Sequence, residues 1–449
     1  MVSDRRNRPD GGDGVRMTRG EFRTSLWLAS LYGSRMLGMF LILPVFAVHA
    51  AGMPGGDNAA MVGFAFGVYG LTQALFQFPL GAASDRVGRK PVIVAGLLVM
   101  LAGSLAAAVA ETVAGLAVGR AIQGAGAISA ALGALLADAT RASQRTKAMA
   151  LVGAMIGVSF AVSLIAAPLL YRAVGLSGLF VLTGILAVAG IAIVAWAVPT
   201  PPRSSPARAR HSDAALHAAP PHDATATIGA PTRWTDGDLL RLDAGIFVLH
   251  FAQTAMFVVI PSRLVAAGLA LPEHWKIYLP VLVASFAAMM PPLNRAERTG
   301  RLRALFLFAI LLLVVTHLGF AFVPTGLVAL SAMLLLFFIG FNMLEALIPS
   351  LVSRLAPAAA RGAALGVYNT SQSLGIFAGG ALGGVLAQRA GDDAVFLAGA
   401  LLMVAWFLLA RGARRWPLRA GAIGDPRATG PVSAAEATAA SPPSAVPPA

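Results

Sequence analysis

Two ionisable residues stand in apolar runs where a charge is costly and a proton can be handed on. Glu345, in FNMLEALIPSL, is the only acid well inside a run of membrane-spanning length, so its carboxyl can load and release a proton. His250, in GIFVLHFAQT, titrates near neutrality and can share that task. Both also suit quieter roles, Glu345 as a packing acid held by an arginine and His250 as a neutral, hydrogen-bonded helix residue. Arg35, in SRMLGMFLILPV, and Arg120, in GRAIQGAGA, put guanidinium groups at similar depth. Each must face a polar cavity or a partner rather than lipid, the structural alternative being capture by helix-end carbonyls or a buried Gln. Asp85 and Arg89, four residues apart in GAASDRVGRKP, share one side if the turn between them is helical.

Other chemistries are excluded. The chain has no cysteine, which removes disulfides, thiol catalysis and Cys-ligated metal. A polytopic membrane enzyme, the distant alternative, calls for an embedded HExxH, Gly-x-Gly-Asp or His/Asp pair, and none is present. The expectation is therefore no enzyme, no metal and no cofactor.

The elements that must position these residues are membrane spans. Of 449 residues 57% are apolar and only 12% charged, far from a soluble composition of about 45–50% apolar and about 25% charged. Apolar runs between charged or Pro/Gly breaks predict twelve helices. Six lie near 26–48, 60–81, 91–110, 113–137, 148–170 and 176–198, and six near 240–262, 277–293, 304–323, 326–349, 363–387 and 394–410. The N-terminus is too polar for a cleaved signal peptide, so the first span is expected to serve as the anchor.

The net charge of +14 invites a nucleic-acid reading until the charges are placed. With both termini inside, the outer loops hold only Arg172, Arg263, Lys276 and Arg389, and Arg35 and Arg120 lie within spans. The remaining Lys and Arg are cytoplasmic, which satisfies the positive-inside rule and predicts a bilayer rather than a nucleic acid as the partner. Residues 1–25 read as a cytoplasmic tail, and 199–239, rich in Pro, Ala, Arg and His, as a flexible cytoplasmic linker between bundles 26–198 and 240–411. Residues 412–449 read as a disordered cytoplasmic tail too poor in large apolar residues to build a core.

An internal repeat supports the division. GMFLILP (Gly38 to Pro44) recurs as AMFVVIP (Ala255 to Pro261), and DRVGR (Asp85 to Arg89) as ERTGR (Glu297 to Arg301). Two parallel halves of six meeting at a midplane site are the plan of one class of transporter repeats.

GAASDRVGRKP resembles the cytoplasmic signature of the major facilitator superfamily, here carried by Gly81, Asp85, Arg86, Gly88 and Arg89. The resemblance implies that Asp85 caps the positive end of span 11, that Arg89 helps hold it, and that Asp138, closing span 4, completes a gate. GRAIQGAGA is similar to the family's second motif, which gives Arg120 and Gln123 places in the cavity. Tyr69, Gln73, Asn342, Tyr368 and Asn369 lie on spans that line the cavity in that family, with interhelical hydrogen bonding as their alternative use. Span 5 departs from the antiporter pattern, with Ala166 and Ala167 before Pro168 and Leu169, Leu170 and Tyr171 after it, and a glycine ladder appears instead in span 11 (Gly375 to Gly384). Across about residues 25–410 the chain looks like the YajR-type, exporter-like branch, and a disordered tail is expected in place of the soluble C-terminal domain of that type.

The expectation is an all-α integral membrane protein of twelve spans in two pseudo-symmetric six-helix bundles. It is expected to act as a monomer in a bacterial inner membrane, with both termini cytoplasmic, performing proton-coupled export of a small organic molecule. An importer or facilitator of a small anionic metabolite is the alternative. Arg35 and Arg120, with no matching acid in their half, predict an electropositive cavity that favours anionic or neutral substrates over cations.

Overall fold

The computed structural model describes residues 17–141, 144–199, 236–323, 326–356 and 361–413. Most of the sequence between 199 and 239 and almost all of 412–449, assigned above as linker and tail, lie outside these residues.

Every regular element among the described residues is a helix. In chain order these are α1 (Arg19–Phe40), α2 (Phe46–Ala51), α3 (Ala59–Val87), α4 (Arg89–Ala108), α5 (Val113–Ala125), α6 (Ser129–Asp138) and α7 (Arg145–Ala192). After the gap follow α8 (Gly237–Ala266), α9 (Trp275–Thr299), α10 (Leu302–Phe322), α11 (Leu327–Leu355), α12 (Arg361–Ala390) and α13 (Asp392–Arg411). Polar side chains start several of them by taking up backbone N–H groups that the first turn leaves free. Thr18 and Glu21 form a reciprocal capping box on α1. Asn58 caps α3, Thr112 caps α5 and Asp236 caps α8.

Among the described residues, nine helical stretches are long and apolar enough to cross a membrane. Helices α1 and α12 are long but not among the nine. Arg35 and several Ser and Gly dilute the first, and Asn369, Thr370, Ser371, Gln372 and Ser373 dilute the second.

Expected spans 5 and 6 fall in one helical stretch of 48 residues, broken at Gly175, where φ is +65° and only glycine sits without strain. Expected span 1 starts earlier than drawn and is interrupted: α1 stops at Phe40, turns occupy 41–45, and α2 resumes the path. Pro44, which lacks an N–H and clashes with the preceding turn, lies within that break. Expected span 4 is likewise divided, with Gly126, Ala127 and Ile128 between α5 and α6.

The closest packing joins α3 to α12. A Cβ at Gly63 would stand 2.3 Å from the Gly380 carbonyl oxygen, at Gly67 2.7 Å from that of Phe377, and at Gly70 2.4 Å from that of Ser373. Only hydrogen fits between these backbones. The opposite face of α12 repeats the device, since Gly375, Gly379 and Gly383 lie against Phe247, Phe251 and Ala255 of α8. Lipid tails are as apolar as leucine, so helices in a bilayer associate by such close contact rather than by hydrophobic exclusion. The glycine ladder of span 11 is thus a two-faced packing surface that ties α12 to both α3 and α8.

Helix α3 gives the molecule a direction. Its C-terminal end carries Asp85 and is called the motif end; its N-terminal end is the far end. There the backbone N–H of Ala59 donates to Gln388 Oε1 of α12 at 2.6 Å. Arg263, expected in an outer loop, is buried in the last turn of α8. It donates to the Phe320 carbonyl and pairs with Asp393 at 2.5 Å and Asp392 at 3.5 Å. Arg389, also expected in a loop, lies in the last turn of α12.

Candidate substrate and proton site

Arg35 of α1 is 2% exposed and is held entirely by neutral groups. It donates to Ser129 Oγ at 2.9 Å, to the Tyr69 hydroxyl at 3.1 Å and to Gln73 Oε1 at 2.9 Å. The breaks described above serve this arrangement, because Ser129 opens α6 just after the interruption of span 4. The Tyr32 hydroxyl donates to the Ser129 carbonyl and holds that corner in place.

Arg120 of α5 is 3% exposed. Its guanidinium lies 4.6 Å above the centre of the Tyr69 ring, donates to Gln123 Oε1 at 3.1 Å and approaches the Phe66 carbonyl at 3.5 Å. Gln123 in turn donates to Ser104. Tyr69 therefore connects the two arginines, through its hydroxyl to Arg35 and through its π face to Arg120. Neither arginine has a carboxylate partner among the described residues, and Nε of each is buried without a hydrogen-bond acceptor there. Two desolvated cations without a counter-charge favour any anion that can reach them.

They are reachable from the second half of the chain. Gln73 Nε2 donates to Ser373 Oγ of α12 at 3.0 Å. Arg120 lines a small cleft with Met39, Phe40, Phe66, Gln253 and Thr254, the last two from α8.

Less than one turn from Gln253 along α8 lies His250, with which the second group of candidates begins. His250 Nδ1 is 3.2 Å from the Ile246 carbonyl, so this nitrogen carries the hydrogen, and Nε2 accepts from Gln372 Nε2 at 2.8 Å. Glu345 of α11 places Oε2 3.9 Å from the same Nε2. That oxygen is buried without a hydrogen-bond partner, although the side chain as a whole is about one-third exposed. A proton arriving on Nε2 would leave the imidazolium beside the Glu345 carboxylate. The pair thus has two protonation arrangements differing by one short transfer.

The profile of the Major Facilitator Superfamily matches residues 28–380 and 279–440. The chain belongs to that superfamily. The inner membrane transport protein YajR of Escherichia coli (strain K12) is 39% identical over 395 residues, covering 88% of this chain and 84% of that protein. Two solved structures have the same fold. The D-xylose-proton symporter superposes with TM-score 0.65 at 16% identity, covering 88% of this chain and 98% of its own. The human organic anion transporter MFSD10 (TETRAN) gives 0.63 at 18% identity, covering 88% and 100%. The chain is a multi-pass membrane transporter of the major facilitator type.

The superfamily's signature loop has a definite geometry here. Helices α3 and α4 meet at a single residue, Gly88, whose φ of +112° is left-handed territory, so the turn between Asp85 and Arg89 is not helical as the four-residue spacing suggested. The two side chains nevertheless meet at 2.5 Å, brought together by the sharp reversal. Arg89 also donates to Ser84 at 2.7 Å and to Asp138 at 3.2 Å. Gly81 faces Ala130 of α6, where an added Cβ would come within 3.2 Å of the alanine Cβ. Arg86 is exposed. Asp85 is 63% exposed, with Arg89 as its ion-pair partner; the residues that precede α12 (357–360) lie outside those described. Among the described residues the ion pairs of the motif lie within one half, and the tight glycine contacts between α3 and α12 run from Gly63 at the far end to Gly70 near the middle of α3.

The other expected cavity residues divide. Tyr69, Gln73 and Gln123 belong to the arginine network, as shown. Asn342 is engaged elsewhere, donating to Ser285 of α9 at 3.1 Å. Tyr368 is buried. The Asn369 carbonyl accepts from Ser373.

Several residues escaped the sequence reading. Gln372, Ser373 and Ser129 complete the networks, and Gln77, one turn beyond Gln73, is buried with both amide atoms unpartnered among the described residues. The spacing Tyr69, Gln73, Gln77 at i, i+4, i+8 was a visible polar stripe. Asp243 of α8 is 7% exposed, more deeply buried than Glu345, whose side chain is about one-third exposed.

Proposed function

We propose that this transporter is a proton-coupled exporter of a small anionic or neutral organic molecule, working by alternating access between two six-helix bundles of twelve spans in all. It acts as a monomer in a bacterial inner membrane with both termini cytoplasmic. The observation that carries the reading is the division of charge: two buried guanidiniums without carboxylate partners among the described residues in the first half, and the half-buried Glu345 facing buried His250 in the second. An anion attracted by Arg120 enters between the halves, while the proton is carried by Glu345 with His250 beside it. Binding and proton load then bias which end is closed, since a ligand shifts an equilibrium only through its differential affinity for the two states.

In the state described here the far end is packed shut through the glycines of α3 and α12, and the gate residues Asp85, Arg89 and Asp138 are paired among themselves. This corresponds to the inward-open member of the cycle. In the opposite member Asp85 turns to the positive end of span 11, where an acid is worth about 0.3–1 kcal/mol.

The test is a thermal-shift screen of purified protein against organic carboxylates, phosphates, neutral sugars and lipophilic cations. A native-state binder at a hundred times its Kd contributes about 2.7 kcal/mol of stability by mass action. Stabilisers are expected among anions or neutral solutes, and the anionic ones should lose their effect in Arg120→Ala. Stabilisation by a lipophilic cation that survives Arg120→Ala would overturn the charge assignment.

A further inference from the structure

We propose that the anion taken by this protein is an apolar monocarboxylate, a carboxyl group on an aromatic ring or a short alkyl chain, held in the cleft that Arg120 lines, with Gln253 and Thr254 as the residues that recognise it. This inference rests on the reading of that cleft as an anion site and names the chemistry it selects.

The two buried arginines differ in what they have left to give. Arg35 spends both terminal nitrogens on Ser129, Tyr69 and Gln73. Arg120 has Gln123 on Nη1, while its Nη2 meets only the Phe66 carbonyl at the long distance of 3.5 Å and its Nε is buried without an acceptor among the described residues. Nε and Nη2 form one edge of the guanidinium, a fork that takes a carboxylate through two parallel hydrogen bonds.

The second half supplies complementary donors. Gln253 and Thr254, neighbours on α8, line the cleft with Arg120, and each is 2% exposed. Neither side chain has a hydrogen-bond partner among the described residues. Buried polar groups are nearly always paired, so an amide and a hydroxyl left open beside a cation await a ligand. The Gln253 N–H and the Thr254 O–H donate to the lone pairs that a two-pronged arginine contact leaves on a carboxylate.

The rest of the cleft is apolar. Phe40 and Leu43 come from the end of α1 and the break after it, Phe66 from α3 and Ile376 from α12. Phe66 stacks on Phe46 at 5.4 Å and Phe40 meets Phe160 edge-on at 5.0 Å, so the wall is held from behind. A second charged group on the ligand would lose its water here without gaining a partner, whereas a ring or alkyl chain gains by leaving water. A cation at one end and an apolar wall at the other therefore select an amphiphilic monoanion. The cleft is narrow and admits it as the halves part, after which the ligand touches α1, α3 and α5 of one half and α8 and α12 of the other.

Binding is measured on full-length purified protein by calorimetric titration at constant ionic strength, with benzoate, hexanoate, acetate, succinate and inorganic phosphate as probes. Benzoate and hexanoate should bind more tightly than acetate by about tenfold or more, and succinate and phosphate should bind more weakly than benzoate. Gln253→Leu and Thr254→Val should each weaken benzoate and acetate alike by roughly tenfold, since they remove hydrogen bonds to the charged group. Phe66→Ala, with Ile376→Thr as a milder change to the same wall, should instead lower the ratio of benzoate to acetate affinity. Succinate or phosphate bound in preference to benzoate, or a ratio unmoved by both wall variants, overturns the apolar-carboxylate assignment while the anion reading of the cleft stands. Benzoate affinity left at the wild-type value by both Gln253→Leu and Thr254→Val overturns their recognition role. If benzoate affinity survives Arg120→Ala intact, or if none of the five anions binds, the anion reading itself fails.

Discussion

Replacing Gly63 and Gly67 by alanine should open the far end. At Gly67 the new Cβ would sit 2.7 Å from the Phe377 oxygen and at Gly63 2.3 Å from the Gly380 oxygen, and both obstacles are backbone that no rotamer change can move. The two helices must separate, or the sites must bear overpacking costs of about 1–3 kcal/mol each. Only the state with α3 against α12 at this end suffers, so the pair biases the equilibrium by about 2–6 kcal/mol. At about 1.4 kcal/mol per factor of ten, that is a population shift of roughly 30-fold to 20,000-fold. The chain has no native cysteine, so spin labels on cysteines placed at Asp57 and Arg389, both exposed at the far end, report the separation directly. The double alanine variant should show a longer distance. Gly157→Ala, where an added Cβ meets nothing within 4 Å, serves as control and should leave the distribution unchanged. A wild-type distribution in folded Gly63→Ala/Gly67→Ala protein would refute the argument that backbone contact holds this end closed.

Further expectations concern charge. In liposomes with an imposed pH gradient and a substrate found by the thermal screen, Glu345→Gln should equilibrate that substrate but not concentrate it; accumulation by the variant would remove Glu345 from the coupling. Asp85→Asn keeps the shape and removes the charge, so labels on the motif-side ends of α6 and α11 should report a shift toward the far-end-closed state. Because Arg89 joins Asp138, the stability losses of Arg89→Ala and Asp138→Ala should be less than additive in chemical denaturation. Glu21, ahead of the first span, is held down to about 2 from 4.5, chiefly by hydrogen bonding from Arg141. A folded value below the unfolded one stabilises above the unfolded value and is lost as pH falls through the folded one. Since Arg141 is nearly half exposed, screening leaves about 1 kcal/mol. Glu21→Gln should therefore lower the melting temperature at neutral pH and flatten its decline between about pH 5 and pH 2.

Local chemistry was legible in the sequence wherever a residue's cost could be judged without knowing its neighbour. An arginine in an apolar run of spanning length must be buried against polar groups, and Arg35 and Arg120 are. Glu345 and His250 were each visible as ionisable groups in lipid-length runs, and they do approach one another. Asp85 and Arg89 were marked by the signature loop and Asp138 by the family resemblance, and Arg89 joins both acids. Superfamily membership followed from that loop together with the span pattern, because a bilayer imposes so few solutions on a polar backbone.

What depended on partners from distant parts of the chain had no such signal. Asp243 is the seventh residue of α8, where the sequence reads as a helix end near water; only the tertiary fold makes it a buried acid. Arg263 and Arg389 looked like loop cations because hydropathy ends before the helices do, and it was Asp392 and Asp393 of α13 that drew Arg263 inward. The breaks at 41–45 and 126–128 interrupt runs that remain apolar throughout, so periodicity passes over them. A glycine's use is set by what stands opposite it. The ladder of span 11 announced close packing, but that one face meets α3 and the other α8, and so closes one end of the molecule, is decided by backbones more than a hundred residues away. Sequence records the cost of each side chain in the membrane, and tertiary structure alone supplies the partner that offsets it.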